Sequence, residues 1–157
     1  KRQRQGRAPI GITHVEHHLP GSILAVLTSG SKHNDTLIRT ALNNATQRPV
    51  VFLYLSNERP TEHAPSLFEF ADPYLHDQGA KDTFARAEHL AQQEKIARRY
   101  VYRLNEPNAV RDIWRIVQPE DVTVDAEHAA ELGNINADFV RYELRPDGKV
   151  VHFIKHW

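Results

Sequence analysis

Apolar and polar residues follow one another in blocks along this chain, in a pattern typical of strands that alternate with helices. Ile23 to Leu27 and Val50 to Leu55 are charge-free apolar runs of strand length. A strand that is apolar on both faces is expected inside a parallel sheet covered by helices. Between these runs, apolar residues recur at helical spacing, with polar residues on the opposite side. The buried side of this first helix is predicted to comprise Leu37, Ile38, Ala41, Leu42 and Ala45.

The same alternation continues to about residue 125. The pattern predicts a second helix from Asp82 or Thr83 to about Arg99, a third strand over 100–104, a third helix that opens at 105–108 with Pro107 in its first turn, and a fourth strand over 122–124. The third strand alternates in polarity, which favours an edge position in the sheet.

The last third of the chain predicts a hairpin. Residues 139–144 and 150–154 alternate in polarity on either side of Arg145-Pro146-Asp147-Gly148, a turn sequence. The winding is therefore expected to end in an antiparallel ribbon, not in another helix and parallel strand. The fold class predicted is α/β: an open, mostly parallel, twisted sheet with helices on both faces, ending in an antiparallel β-hairpin. Residues 22–157 are expected to form one domain, and residues 1–21 an irregular, basic segment.

Composition excludes several function classes. Lys and Arg number 20 and Asp and Glu number 20, so a general nucleic-acid binder, which needs a basic surface, is not expected. The chain has no cysteine, which excludes disulfides, thiolate catalysis and Cys-ligated zinc and fits a cytoplasmic location. No apolar run approaches the roughly 20 residues of a transmembrane helix.

The start of the chain is basic, and the sequence contains no methionine. We therefore expect it to be a fragment or a processed product. Lys1, Arg2, Arg4 and Arg7 are interpreted either as a solvated tail or as the cytoplasmic flank of a preceding membrane helix, where such residues accumulate. The second interpretation makes residues 1–21 a juxtamembrane linker and Lys1 the neighbour of a membrane domain.

Two further segments attract attention. His14, Glu16, His17 and His18 are residue types that bind zinc, but neither a helix nor a strand would put all four on one face. A solvated segment is favoured, and no metal site is predicted. The long connection over residues 56–81 is expected to be functional or to pack on the body or a partner, since it is rich in aromatic residues.

Four stretches resemble the universal stress protein family. Ile23 to Ser31 is similar to that family's first strand and turn, and Asn105-Glu106-Pro107 to its entry into the third helix. Residues Ala41, Leu42 and Ala45 match its first helix, and Pro119 to Val124 its fourth strand. The likeness covers about Ser22 to Asp125. It implies a Rossmann-like sheet order, adenine-nucleotide binding, and occurrence either as a free-standing protein or as a cytoplasmic tail of amino-acid permeases and cation transporters.

The resemblance places a crevice at the carboxyl ends of the first and fourth strands, where open α/β sheets bind ligands. The candidate ligand-binding residues are Thr28, Ser29, Gly30, Ser31, Asp125, Glu127 and His128. The alternative is that these are ordinary turn and capping residues. Glu127 and His128 could act as an acid and a base by residue type, but no nucleophile–base–orienter set accompanies them, so no catalytic residue is predicted.

The chain departs from the family at both phosphate-binding elements. Ser29 stands where nucleotide-binding members have Asp, and residues 125–131 stand where they have a glycine-rich loop. That stretch carries the carboxylates of Asp125, Glu127 and Glu131, which repel phosphate. No cofactor is therefore predicted, with ATP or another adenine nucleotide as the alternative.

The function expected is that of a non-enzymatic regulatory domain, the cytoplasmic part of an inner-membrane transporter of the amino-acid permease type with a degenerate nucleotide site. The alternative is a free-standing stress-type protein that binds an adenine nucleotide or a cyclic dinucleotide. An α/β enzyme that uses Glu127 and His128 is a third hypothesis. A homodimer is also expected, because the hairpin exposes strand edges, and apolar area is offered by Phe139, Tyr142, Phe153 and Trp157.

Overall fold

Six strands form a single sheet in the computed structural model, which describes residues 18–57, 73–133, 135 and 137–155. The strands are β1 (Ile23–Thr28), β2 (Val50–Ser56), β3 (Arg98–Leu104), β4 (Asp121–Asp125), β5 (Phe139–Leu144) and β6 (Val150–Lys155). Their order is β3-β2-β1-β4-β5-β6, and every neighbouring pair is parallel except β5 and β6. The fold class predicted from the sequence is confirmed, as is the edge position of β3.

Helices cover both faces of this sheet. They are α1 (Asn34–Ala45), α2 (Gln78–Glu94), α3 (Ala109–Val117) and the single turn α4 (Ala126–Ala129), with 3₁₀ helices over Pro73–His76 and Ala130–Leu132. One core lies between the sheet and helices α1 and α2, and the other between the sheet and α3 with the turns after β4. All residues of β1 and β2 are buried because alternate side chains enter the two cores.

The strand β5 corrects one expectation about the hairpin. It pairs with β4 in parallel, with Val140 opposite Asp121, so the winding includes one more parallel strand and only β6 runs antiparallel. The connection is short because α4 and the 3₁₀ helix after it fold back over the sheet and bury Ala129 and Leu132. A hydrophobic pattern of strand residues does not distinguish a ribbon from this arrangement.

The limits of two helices also differ from the expectation. Helix α2 begins at Gln78 because the Asp77 carboxylate accepts a hydrogen bond from the Ala80 amide at 3.0 Å, and it ends at Glu94. Helix α3 begins at Ala109, after Asn108 in a left-handed conformation (φ 72°), so Pro107 precedes the helix instead of lying in its first turn.

Several expectations concern residues outside the described ranges. They are the basic start, the metal-ligand residue types His14, Glu16 and His17, the central part of the connection at 58–72, and Trp157; His18 is described and is exposed. Within the ranges described, no helix combines the length and apolar character needed to cross a bilayer.

Candidate ligand-binding cleft

An open cleft of about 720 Å³ lies at the carboxyl ends of the parallel strands. Six of the seven predicted site residues line it: Thr28, Ser29, Gly30, Ser31, Asp125 and Glu127. The seventh, His128, is not part of the lining, since only 3% of it is exposed and it lies beneath the cleft. The structure therefore brings together the ends of β1 and β4 that the sequence singled out.

The turn between β1 and α1 is held by backbone hydrogen bonds. The Ser29 amide donates to the Leu55 carbonyl at 2.9 Å, and the Ser31 amide donates to the Thr28 carbonyl at 3.1 Å. Gly30 has a φ of +75°, and nothing lies within 4 Å of where a Cβ would be, so conformation and not space is what requires glycine there.

Asn34 fastens this turn to the end of β1. Its side chain accepts a hydrogen bond from the Thr28 amide at 3.0 Å and donates one to the Thr28 carbonyl at 2.8 Å. Asn34 is therefore not a helix cap, and neither is Asp35, whose carboxylate binds Arg39 at 2.9 Å and Arg86 at 2.8 Å. The hydrogen bonds from Arg86 and Arg39 lower the pKa of Asp35 below its ordinary value.

The amino terminus of α1 is consequently open. His33 occupies the capping position without a side-chain hydrogen bond, and no described residue accepts a hydrogen bond from the amides of Asn34 to Thr36. Free amide groups and the helix dipole favour an anion at this position. Lys32 and Arg145, which also line the cleft, add positive charge. Neither was singled out from the sequence, because a turn lysine and a hairpin arginine carry no motif.

A series of hydrogen bonds runs from the buried His128 across the floor of the cleft. The Asp125 carboxylate accepts hydrogen bonds from the backbone amide and from Nδ1 of His128, both at 2.8 Å. Nε2 of His128 lies 3.1 Å from Oδ1 of Asn105, whose Nδ2 donates to Asn57 at 3.1 Å. The series joins the ends of β2, β3 and β4. The two asparagines each directly follow a parallel strand, which is the only sequence signal that could have identified them.

Within this series of hydrogen bonds, the charges of Asp125 and His128 balance each other. Burial opposes the charged form of His128, but its hydrogen bond to Asp125 and the negative charges of Asp125, Glu127 and Glu131 together outweigh burial, so the pKa of His128 lies above its ordinary 6.5. Burial likewise acts to raise the pKa of Asp125, but the bonds from His128 lower it below its ordinary value. When protonated, the ring of His128 has a donor for both of its neighbours, Asp125 and Asn105.

This pair predicts a pH-dependent contribution to stability. Because the pKa of His128 is raised on folding, its contribution is complete below about pH 6.5 and is lost as the pH rises through the higher folded-state value. We expect His128→Gln to lower the free energy of unfolding more at about pH 5.5 than at about pH 9, measured by urea denaturation. The control is His89→Gln, a substitution of an exposed histidine on α2. An equal loss at both pH values would contradict a protonated, paired His128.

Donor atoms of Asp125, Glu127 and His128 lie within 4.8 Å of one another, so these residues are the set in the described part of the chain that could hold a metal ion. In this structure Nδ1 of His128 is instead bonded to Asp125. The same bond, with the burial of the ring, keeps the imidazole away from the cleft surface.

No protein-family model matches the chain, and no curated protein matches it in sequence. Among solved structures, the crystal structure of a protein from the universal stress protein family from Burkholderia pseudomallei is similar, with a TM-score of 0.49 and 15% sequence identity. The similarity covers 67% of this chain and 80% of that one.

Proposed function

We propose that this domain binds a small phosphate-bearing ligand in the cleft and acts as a sensor without catalysing a reaction. The observation that carries the proposal is the open amino terminus of α1, whose amides have no acceptor among the described residues and which lies beside Lys32. A helix amino terminus with a neighbouring cation is a suitable environment for phosphate. The cleft volume falls within the range of about 300–1,000 Å³ that is usual for small-molecule sites.

The acidic side of the cleft gives the ligand an orientation. Asp125 and Glu127 line the cleft together with Lys32 and Arg145. Carboxylates repel phosphate but accept hydrogen bonds from hydroxyl and amino groups. We therefore expect the phosphate to lie at α1 and Arg145, and the sugar or base to face Asp125 and Glu127. Adenine nucleotides and cyclic dinucleotides are ligands of this chemistry.

The buried histidine supports sensing more than catalysis. A general base must come within hydrogen-bond reach of the proton it removes. Both ring nitrogens of His128 face Asp125 and Asn105, and only 3% of the residue is exposed. Glu127 is the exposed member of the hypothetical acid–base pair. Its carboxylate makes no hydrogen bond with another residue of the described ranges that would position it for catalysis.

Binding is tested by calorimetric titration and thermal shift with ATP, ADP, AMP, cyclic dinucleotides, inorganic phosphate and free amino acids. We expect a phosphate compound to bind and both Lys32→Ala and Arg145→Ala to weaken it by about tenfold or more, since a hydrogen bond to a charged group contributes roughly 1.5–3 kcal/mol. Gly30→Val should also weaken binding, because the left-handed turn would be strained. Arg115→Ala, an exposed arginine on α3, is the matched control.

Two results would contradict this proposal. One is the absence of any shift with every phosphate compound, since a ligand at about 100 times its Kd adds roughly 2.7 kcal/mol. The other is binding that is equally strong in Lys32→Ala, Arg145→Ala and Arg115→Ala. A response to free amino acids alone would favour the regulatory role expected for a permease tail.

The role as a transporter domain stays a prediction. The basic segment that motivated it lies outside the described residues. The full gene tests it directly: apolar helices encoded immediately before Lys1 would support it, and a start codon with no membrane helix would contradict it.

A further inference from the structure

The acidic side of the cleft holds three side chains of residue types that bind metal ions. Asp125, Glu127 and His128 lie at the end of β4 and in α4, and one donor atom of each lies within 4.8 Å of the other two. Glu127 is exposed and Asp125 is half-buried, whereas His128 is buried beneath them. Two carboxylates and one imidazole are a donor set that divalent transition metals accept.

The spacing of two of these donor atoms is close to that of neighbouring ligands on one ion. Ligand atoms that are each about 2.1 Å from a metal and at a right angle to each other lie about 3.0 Å apart. Oδ1 of Asp125 and Nδ1 of His128 are 2.8 Å apart. An ion can therefore replace the proton between these two atoms with only a small movement of the side chains, and that proton passes to solvent. The exposed side chain of Glu127 can rotate to supply a third bond.

The other ring nitrogen of His128 is held as it is in histidines that bind metals. Such a histidine almost always donates its second ring N–H to an oxygen, which fixes the tautomer and the orientation of the ring. Nε2 of His128 lies 3.1 Å from Oδ1 of Asn105, and Nδ2 of Asn105 donates to Asn57 at 3.1 Å. The contact with Asn57 turns the Asn105 oxygen towards the ring. In the resulting neutral tautomer the lone pair lies on Nδ1, on the side of Asp125.

An unpaired hydroxyl at the same end of the sheet also indicates a bound group. Thr28 lines the cleft and is only 7% exposed, and its Oγ1 makes no hydrogen bond with any described residue. Continuing the parallel register in which Ala25 lies opposite Thr123 places Thr28 level with Ala126, directly after Asp125. Buried polar groups in native structures are seldom left without a partner. A water molecule bound to an ion at Asp125 would give the Thr28 hydroxyl that partner.

We propose that Asp125, Glu127 and His128 bind one divalent transition-metal ion at the acidic side of the cleft. The mixed set of carboxylates and imidazole suits Mn²⁺ and Zn²⁺ better than Mg²⁺, which prefers oxygen ligands. The remaining positions on the ion are left to water or to a ligand in the cleft. The site does not depend on the proposed phosphate ligand, because its three donor atoms belong to the chain itself.

Calorimetric titration with MnCl₂, ZnCl₂ or MgCl₂, at about pH 8 and without any phosphate compound, tests the site. The parent for this test is the full chain with His14, His17 and His18 replaced by alanine, since histidines bind zinc by residue type. We expect one Mn²⁺ or Zn²⁺ per chain, weaker binding of Mg²⁺, and a loss of about tenfold or more in Glu127→Gln. Glu106→Gln is the matched control, because it removes an exposed carboxylate at the same end of the sheet that does not line the cleft.

Pulsed electron paramagnetic resonance of bound Mn²⁺ tests the nitrogen ligand, because it detects coupling to an imidazole nitrogen. We expect this coupling in the parent and in His33→Gln, which removes a second histidine that does line the cleft, and its loss in His128→Gln. Circular dichroism verifies that the variants fold. Three results would each overturn the proposal: no binding of Mn²⁺ or Zn²⁺ up to about 1 mM, equal binding by Glu127→Gln and Glu106→Gln, or a nitrogen coupling that is absent from the parent or removed by His33→Gln.

Discussion

Replacement of Asp77 by Ala is expected to lower the free energy of unfolding by about 3–5 kcal/mol, the sum of a lost helix cap and two hydroxyls that lose their hydrogen bonds to a buried carboxylate. Asp77 is 2% exposed. Its carboxylate accepts hydrogen bonds from the Ser56 hydroxyl at 2.5 Å, the Tyr102 hydroxyl at 2.8 Å and the Ala80 amide at 3.0 Å. The residue therefore joins the ends of β2 and β3 to the first turn of α2.

Urea denaturation measures this loss of stability, and two further variants show which interactions cause it. The Ala80 amide bonds one oxygen of the carboxylate and both hydroxyls bond the other, so the single oxygen of Asp77→Asn keeps one of these two sides and a smaller loss is expected. Asp82→Ala removes an exposed aspartate of the same helix, whose side chain accepts a hydrogen bond from Gln78, and should change stability by less than about 0.5 kcal/mol. If Asp77→Ala costs no more than Asp82→Ala, the three hydrogen bonds do not stabilise the fold.

The parts of the fold that could be predicted from the sequence are those in which one local pattern decides the outcome. The runs at β1 and β2 are buried on both faces, and the predicted face of α1 is the one that enters the core. The position of β3 at the edge of the sheet was predicted from the alternating polarity of its residues. Such patterns report whether a residue is buried, and burial does not depend on which strand is its neighbour in the sheet.

The features that could not be predicted depend on contacts distant in sequence or on single side-chain bonds. Helix α2 starts four or five residues earlier than expected because of the Asp77 cap, and β5 runs parallel to β4 because a short turn folds over the sheet. Nothing local distinguishes His128 as buried from Glu127 as exposed. Their separation depends on Asp125 and on Asn105, a residue 23 positions away that meets the imidazole only in the folded chain.

The candidate site shows the same division. The turn after β1 and the start of α4 were identified because open α/β sheets place loops at the carboxyl ends of their strands. The cationic members, Lys32 and Arg145, come from a turn and from the hairpin. Because the chain was expected to end in an antiparallel ribbon, without a further parallel strand beside β4, the arginine of the hairpin was not placed near β1. The parallel position of β5 beside β4 is what brings it there.

Asn34→Ala should affect both stability and ligand binding, since this side chain fixes the turn that forms the cleft. We expect a loss of about 2–4 kcal/mol, because the buried amide and carbonyl of Thr28 lose the two hydrogen bonds that Asn34 makes. The freed turn should also bind a phosphate ligand more weakly, whereas Asp77→Ala should leave the affinity of its folded fraction unchanged. Urea denaturation and calorimetric titration of the same samples separate the two effects.

Two further variants of α1 decide whether the hydrogen bonds between Asn34 and Thr28 are themselves responsible for the loss of stability. Asn34→Asp retains the acceptor for the Thr28 amide but loses the donor for its carbonyl, so it should lie between the wild type and Asn34→Ala in stability. Asn43→Ala removes an exposed asparagine from the same helix and should change stability by at most a few tenths of a kcal/mol, in either direction. We expect the Thr28 amide to exchange its hydrogen faster in Asn34→Ala than in Asn43→Ala. This difference would place the loosening at the end of β1. If the two alanine variants are equally stable, the Asn34 bridge does not hold the turn, and the open amino terminus of α1 must be positioned by the backbone bonds of Ser29 and Ser31 alone.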